Sequence, residues 1–243
     1  MLGPVARWLS ALIAVSGAVI ALATPSLAAC GPDATPTDSC PPAYADPEAH
    51  EPSVRIGGGV RGAGSVDVQV VALAPDHTGL TAEDQPTLYW FVSQAVPLRL
   101  EFTIVETATP KPVLDQTIEQ KALAGIHALR LAAFGVRLKP DVAYRWFVSI
   151  VTDEEARSSD ILASGTIIYR PPSATLMAQI AKADVPRVQA SLYARAGIWY
   201  DAIDAISRAI DAAPDDKALR QDRAALLRQV GLSAAASYDL SRE

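Results

Sequence analysis

The segment Leu138-Lys139-Pro140-Asp141-Val142-Ala143-Tyr144-Arg145-Trp146-Phe147-Val148 constrains this chain more than any other. A leucine and a proline turn the backbone. Tyr144 then opens a run in which Tyr144, Trp146, Val148 and Ile150 share one face, because strand side chains alternate with a period of two. This is the spacing of a β-sandwich corner, in which the tyrosine hydroxyl ties back to backbone near Leu138 to Pro140. A corner needs a facing sheet, and Leu88-Tyr89-Trp90-Phe91-Val92 is the aromatic strand able to supply its inner wall.

The same period runs from residue 65 to about 172. Val66, Val68 and Val70 alternate with Asp67 and Gln69, and Leu98, Leu100, Phe102 and Ile104 alternate with Arg99, Glu101 and Thr103. Alternation of this kind marks half-buried strands. Pro75-Asp76-His77-Thr78-Gly79 reads as a turn, and Pro86 belongs at the start of the strand it introduces, since it has no N–H to donate to a ladder. Weaker strands are expected at 113–118 and 127–131, and a last one at 165–169 stops at Pro171-Pro172. About seven short strands with turns between them predict an immunoglobulin-like or fibronectin-like β-sandwich, within an α+β chain.

From residue 173 to 232 the period becomes 3.6, and a small helical hairpin region is expected. Ser173 is placed to cap a helix carrying Leu176, Met177 and Ile180, and Asp184 to cap the next, with Pro186 in its first turn. Gly197 then ends a helix with Ile198 beyond it, as in a Schellman cap. Trp199, Ala202, Ile203, Ile206, Ala209, Ile210 and Ala213 form an apolar stripe opposite Asp201, Asp204, Arg208 and Asp211. Asp216 begins a third helix that closes at Gly231-Leu232, and residues 233–243 are expected to be a loosely ordered tail.

Residues 1–29 read as an export signal: Arg7, then an apolar run from Leu9 to Ala23, then the small residues Pro25-Ser26-Leu27-Ala28-Ala29. Leu27-Ala28-Ala29-Cys30 resembles the lipobox of bacterial lipoproteins, which implies acylation at Cys30. The competing reading pairs Cys30 with Cys40, the two cysteines of the chain, across a short loop in an oxidising compartment. The two exclude each other. Residues 30–64, rich in proline, acids and then glycine, read as a flexible tether. The expected location is the periplasm or outer membrane if Cys30 is lipidated, and secretion otherwise. Membrane contact is expected only through such an anchor.

The formal charge of −6, with no basic cluster among aromatics, argues against nucleic acid as a partner. His50, His77 and His127 have no common spacing, so no metal ligand set is expected. No cofactor fingerprint, nucleophile elbow or triad spacing is present, and no catalytic residue is nominated. Asp153, Glu154, Glu155, Arg157 and Asp160 form the densest charged loop, expected to be salt-bridged and solvated. With Tyr200, adjacent to the apolar-stripe Trp199, they make the candidate interaction surface.

Two resemblances follow. Tyr193, Gly197, Trp199, Ala202, Ala209 and Pro214 are similar in spacing to a tetratricopeptide repeat, and Ala224, Leu227 and Gly231 to half of another. Residues 55–232 resemble the bacterial family called domain of unknown function 928. The likeness rests on Ile56-Gly57-Gly58-Gly59-Val60-Arg61-Gly62, Gly79-Leu80-Thr81, Pro86 to Val92, Tyr144-Arg145-Trp146, Arg157-Ser158-Ser159-Asp160, and Leu192 to Ala202. Members often carry a cysteine before the Arg-Ser segment and a Gly-Trp in the final strand; here Val151-Thr152-Asp153 and Gly165-Thr166 stand instead. The resemblance implies export and this two-part layout, and no activity. The expectation is an exported envelope protein that binds another envelope protein without turning over a substrate, with an envelope hydrolase as the alternative.

Overall fold

In the computed structural model, which describes residues 40–47, 55–59, 68–109, 111–118 and 122–242, the clearest alternation becomes β5 (Arg99–Glu106), with Leu100, Phe102 and Ile104 fully buried. It pairs on one side with β6 (Pro112–Ile118) and on the other with β8 (Ala143–Val151). The sheet continues through β9 (Ile161–Tyr169) to a short parallel edge, β3 (Gly79–Thr81). A second sheet, antiparallel throughout, has the order β1 (Gly57–Gly59), β2 (Gln69–Ala72), β4 (Thr87–Val92), β7 (Gly125–Arg130). Pro86 directly precedes β4, where its missing N–H costs nothing.

The sheets share one core. Trp90 on β4 meets Phe102 on β5 with ring centroids 6.4 Å apart, and Phe102 stacks on Trp146 of β8 at 6.0 Å. The corner forms as expected: the buried Tyr144 hydroxyl accepts the Lys139 N–H at 3.2 Å. Asp141 turns the chain there with φ of 58°, a left-handed conformation that aspartate tolerates better than most residues.

Five helices follow: α1 (Ala174–Lys182), α2 (Pro186–Arg195), α3 (Trp199–Ala212), α4 (Lys217–Gln229) and α5 (Ser233–Ser241). Ser173 caps α1 by accepting the Leu176 N–H, and Asp216 caps α4 by accepting the Ala218 N–H. Asp184 does not cap α2; Val185 holds that position without a side-chain bond, and Pro186 supplies the fixed first turn. Gly197 and Gly231 both lie at positive φ, and the bonds Ile198 N–H to Tyr193 and Leu232 N–H to Leu227 close the turns after α2 and α4. The α3 stripe is buried from Trp199 to Ile210, while Ala213, expected to continue it, is exposed beyond the end of the helix; α1 buries no residue and leaves Met177 exposed. No helix among the described residues is long and apolar enough to cross a membrane.

Three expectations need correction. The tail is not loose: residues 233–241 form α5, whose Ala235, Ala236 and Asp239 are buried. Small alanines allow close approach to α4, and Asp239 takes a two-pronged ion pair from buried Arg223 (2.6 and 2.7 Å), whose third donor meets Ser207. Part of the tether is also folded. Cys40 and Pro42 are buried, the Tyr44 ring packs edge-on against Trp199 at 5.0 Å, and its N–H donates to Gln229. The glycine run, expected to belong to the tether, begins with a strand, since Gly57–Gly59 pair with β2 through backbone. Residues 1–39, including the stretch expected to be an export signal and Cys30, lie outside the described residues, as do 48–54 and 60–67.

The buried Arg223–Asp239 pair yields a stability prediction. Asp239→Ala strands a guanidinium away from water, so the loss in denaturant unfolding should be about 3–5 kcal/mol. A loss within about 0.5 kcal/mol, the range of ordinary surface positions, would return the last helix to a dispensable tail.

Candidate functional site

The helices meet the sheets through the first turn of α3, where Trp199, Tyr200 and Asp201 are all buried. Three successive residues of a helix span more than half its circumference, so this turn is enclosed rather than laid on a surface. Trp199 Nε1 donates to the Leu73 carbonyl at 2.8 Å. The Tyr200 hydroxyl accepts the Trp146 indole N–H and donates to the Thr166 carbonyl, each at 3.0 Å. A Cβ on Gly79 would stand 2.7 Å from the Tyr200 ring, so glycine is what admits it. Tyr200 is therefore not the exposed contact expected from sequence: the helix face judged outward by its neighbours is covered by the sheet edge.

Beside this turn lies a polar cleft of about 270 Å³ between the β3–β4 loop, the end of β7, and helices α2 and α3. Asp201 accepts the Ala82 N–H at 3.0 Å, and Asp204 accepts the Tyr89 hydroxyl at 2.9 Å and pairs with Arg208 at 2.9 Å. Burial pushes the Asp201 carboxyl up to about 7, against the opposing pull of the Ala82 N–H and the Thr81 hydroxyl. Burial, then the charge of Asp201, raises the Tyr193 phenol to about 12. A carboxyl near neutrality in a cleft can hold or release a proton, which is what acid–base chemistry needs. Here both carboxyls are already engaged in fastening α3 to the sheets. Sequence reading missed this site because Asp201 and Asp204 lie on the polar side of the α3 stripe, the ordinary place for solvated acids.

The charged loop is where the sequence put it. Asp153, Glu154 and Glu155 are exposed, and Arg157 joins Asp160 at 2.7 Å and also Glu101 on β5. Arg99 links Glu101 and Glu154, both at 2.9 Å. The Arg157 hydrogen bond leads the influences that hold Glu101 below the usual carboxylate range. The Thr152 N–H donates to Asp160, and the Thr152 hydroxyl to the Ser159 carbonyl.

Of the histidines, His50 lies outside the described residues. His77 is less incidental than its turn suggested: it lies 2.9 Å from the Tyr44 hydroxyl and 3.3 Å from both Asp46 and Asp76. That cluster fastens residues 44–46 to the β2–β3 turn. Cys40 is disulfide-bonded. No group of three or more potential metal ligands occurs among the described residues.

The Asp201 carboxyl should leave a pH signature. A folded pKa raised from 3.8 to about 7 means that the folded chain binds this proton more tightly than the unfolded one. Its stabilising contribution is therefore full below about pH 4 and lost as pH rises to about 7. Asparagine keeps the acceptor for Ala82 and removes the titration. The stability of the native protein relative to Asp201→Asn should fall across that window by at most about 1.4 kcal/mol per pH unit. Guanidinium melts at acid and neutral pH measure it, and a difference that stays constant would mean that Asp201 does not titrate there.

No curated protein matches the chain. Among solved structures, a multi-domain immunophilin from Arabidopsis thaliana is similar at 11% identity over 80% of this chain and 99% of that one, with a TM-score of 0.18. A likeness of that size carries no argument about fold or function. The family model described as Domain of Unknown Function (DUF928) matches residues 56–240, from the residue before β1 into α5, and with most of its length so matched the chain belongs to the DUF928 family.

Proposed function

We propose that this protein is an exported cell-envelope module that binds another envelope protein, without catalysis, through the loop from Thr152 to Asp160. The observation that carries the reading is the internal bracing of that loop. It adds nothing to the core, yet Arg157, Arg99, Thr152 and Asp160 hold it against β5 and against itself. A braced loop has little entropy left to lose on association. Its exposed acids, Asp153, Glu154 and Glu155, fit a partner that presents basic groups, and charge complementarity of this kind governs choice of partner and rate of encounter. The engagement of Asp201 and Asp204 in structural bonds favours binding over the alternative of an envelope hydrolase.

The finer fold reading is an immunoglobulin-like or fibronectin-type sandwich. In its support stand the strand order, the β3 edge parallel to β9, and the Tyr144 corner. The tetratricopeptide-like reading of the helices is supported by the α2–α3 pair that turns at Gly197.

Export draws support from the signal-like residues 1–29 and from the bonded state of Cys40, since disulfides persist in oxidising compartments. With two cysteines in the chain, a bonded Cys40 favours the Cys30–Cys40 bridge over acylation of Cys30, and a periplasmic or secreted protein over an anchored one. An intact mass of the mature protein should show no acyl addition, and alkylation of both thiols only after reduction. A diacylglyceryl mass on Cys30 would reverse this assignment.

For the interaction surface, cross-linking in the native envelope identifies the partner. The triple charge reversal Asp153→Lys, Glu154→Lys and Glu155→Lys should then weaken binding about tenfold or more, since like charges set opposite one another cost several kcal/mol, with the unfolding midpoint unchanged. Hydrolytic turnover that Asp201→Asn abolishes in a folded protein would replace this reading with the enzyme.

A further inference from the structure

The paired sheets have two open edges, and the chain treats them differently. At the edge that carries β3, Trp199 and Tyr200 of α3 plug the gap beside Leu73 and Trp146. The opposite edge, between β6 and β7, is left with a cavity of about 590 Å³. That volume falls within the range of small-molecule sites. Leu100 and Ile118 form one wall and Trp90 and His127 another, and at the mouth stands Phe134, 42% exposed, on the short 3-10 helix Leu131–Phe134.

A second observation points to a ligand. Trp90 is 2% exposed, and among the described residues its Nε1–H has no acceptor. The other two described tryptophans are both satisfied, Trp146 by Tyr200 and Trp199 by Leu73. A buried donor without a partner costs about 1–3 kcal/mol, and natural cores rarely leave one. Over the Trp90 indole lies the half-buried ring of His127, stacked at 5.7 Å and 22°. The His127 Nε2–H donates to the carbonyl of Leu123, itself 55% exposed. This ring can swing aside without disturbing a strand.

We propose that the β6–β7 cavity is a binding site for a neutral, largely aromatic small molecule that carries one carbonyl-type oxygen. The rings of Trp90, His127 and Phe134 receive its aromatic body, since offset stacking adds to the gain from burial. The oxygen accepts the Trp90 indole N–H once the His127 ring has moved. An anion is disfavoured, because no cation lies in the inner wall and Arg130 stands exposed at the strand end. The site is separate from the 152–160 loop, and its failure would leave the partner-binding reading untouched.

Benzophenone provides the probe, with diphenylmethane as a control that has a similar shape and lacks the oxygen. In a nitrogen-15 indole spectrum of the full chain, the Trp90 resonance is the one that disappears in Trp90→Phe. Benzophenone should shift it downfield and saturably, and leave the Trp146 and Trp199 indole signals in place. Diphenylmethane should bind about three- to tenfold more weakly, the value of one hydrogen bond. Ala133→Trp, at an exposed position on the mouth, should block the shift without loss of fold. Irradiation of the benzophenone complex should label segments 87–92, 114–118 or 125–134. An unmoved Trp90 resonance, an equal response in Ala133→Trp, or labelling confined to other segments would each overturn the proposal.

Discussion

The bond on which the architecture most depends is the relay from the Trp146 indole through the Tyr200 hydroxyl to the Thr166 carbonyl. Trp146 and Tyr200 are buried and Thr166 is half-buried, so the indole N–H and the hydroxyl would each carry the cost of a stranded polar group without the other. The sheets alone would leave the Trp146 N–H unsatisfied at the core. The helices alone would expose a tyrosine and a tryptophan in one turn. Neither half is therefore a finished unit, and the buried cluster that runs unbroken from β4, β5 and β8 into α3 and α4 follows from that incompleteness. Burial also raises the Tyr200 phenol well above its ordinary value, so the hydroxyl remains a donor to Thr166.

Polar burial recurs through the helical layer and has a common role. Asp201 fastens α3 to the β3–β4 loop, Arg187 and Asp222 join α2 to α4, and Arg223 and Asp239 join α4 to α5. Such pairs add little net stability over well-packed apolar residues, because desolvation offsets most of their attraction. Their value lies in register. An alanine-rich helix such as α5 can slide or rotate at small energetic cost, and the two-pronged Arg223–Asp239 pair allows one position.

Legibility in the sequence follows from the range of the forces involved. The alternation in β5, the Tyr144 corner, the caps at Ser173 and Asp216 and the turns at Gly197 and Gly231 are set by neighbours a few residues away, and all were readable. What escaped was set from a distance. Tyr200 looked exposed because nothing in α3 announces a sheet edge on that side. The last helix looked loose because its alanines carry no apolar stripe, and its anchor, Arg223, lies on a different helix. Residues 40–47 looked like tether, yet the Tyr44 contacts come from α3, α4 and the β2–β3 turn. The Asp201 cleft was hidden for the same reason: local periodicity cannot separate a solvated acid from one that the fold covers.

Edges are the hazard of paired sheets, since they present unsatisfied backbone groups and unsealed apolar interior. This chain lays a helical layer of some seventy residues over the β3 edge and against β4 and β7, and the polar atoms of its aromatic plugs at the β3 edge are fully matched. The same fold stations a tryptophan without an acceptor among the described residues, and an exposed phenylalanine, at the other. Folding alone would favour the reverse economy on β4, where a smaller or aliphatic residue in place of Trp90 would remove the orphaned donor. An aromatic wall kept at that cost is accounted for if the edge is closed by something that arrives from solution, brings its own rings and supplies the missing oxygen.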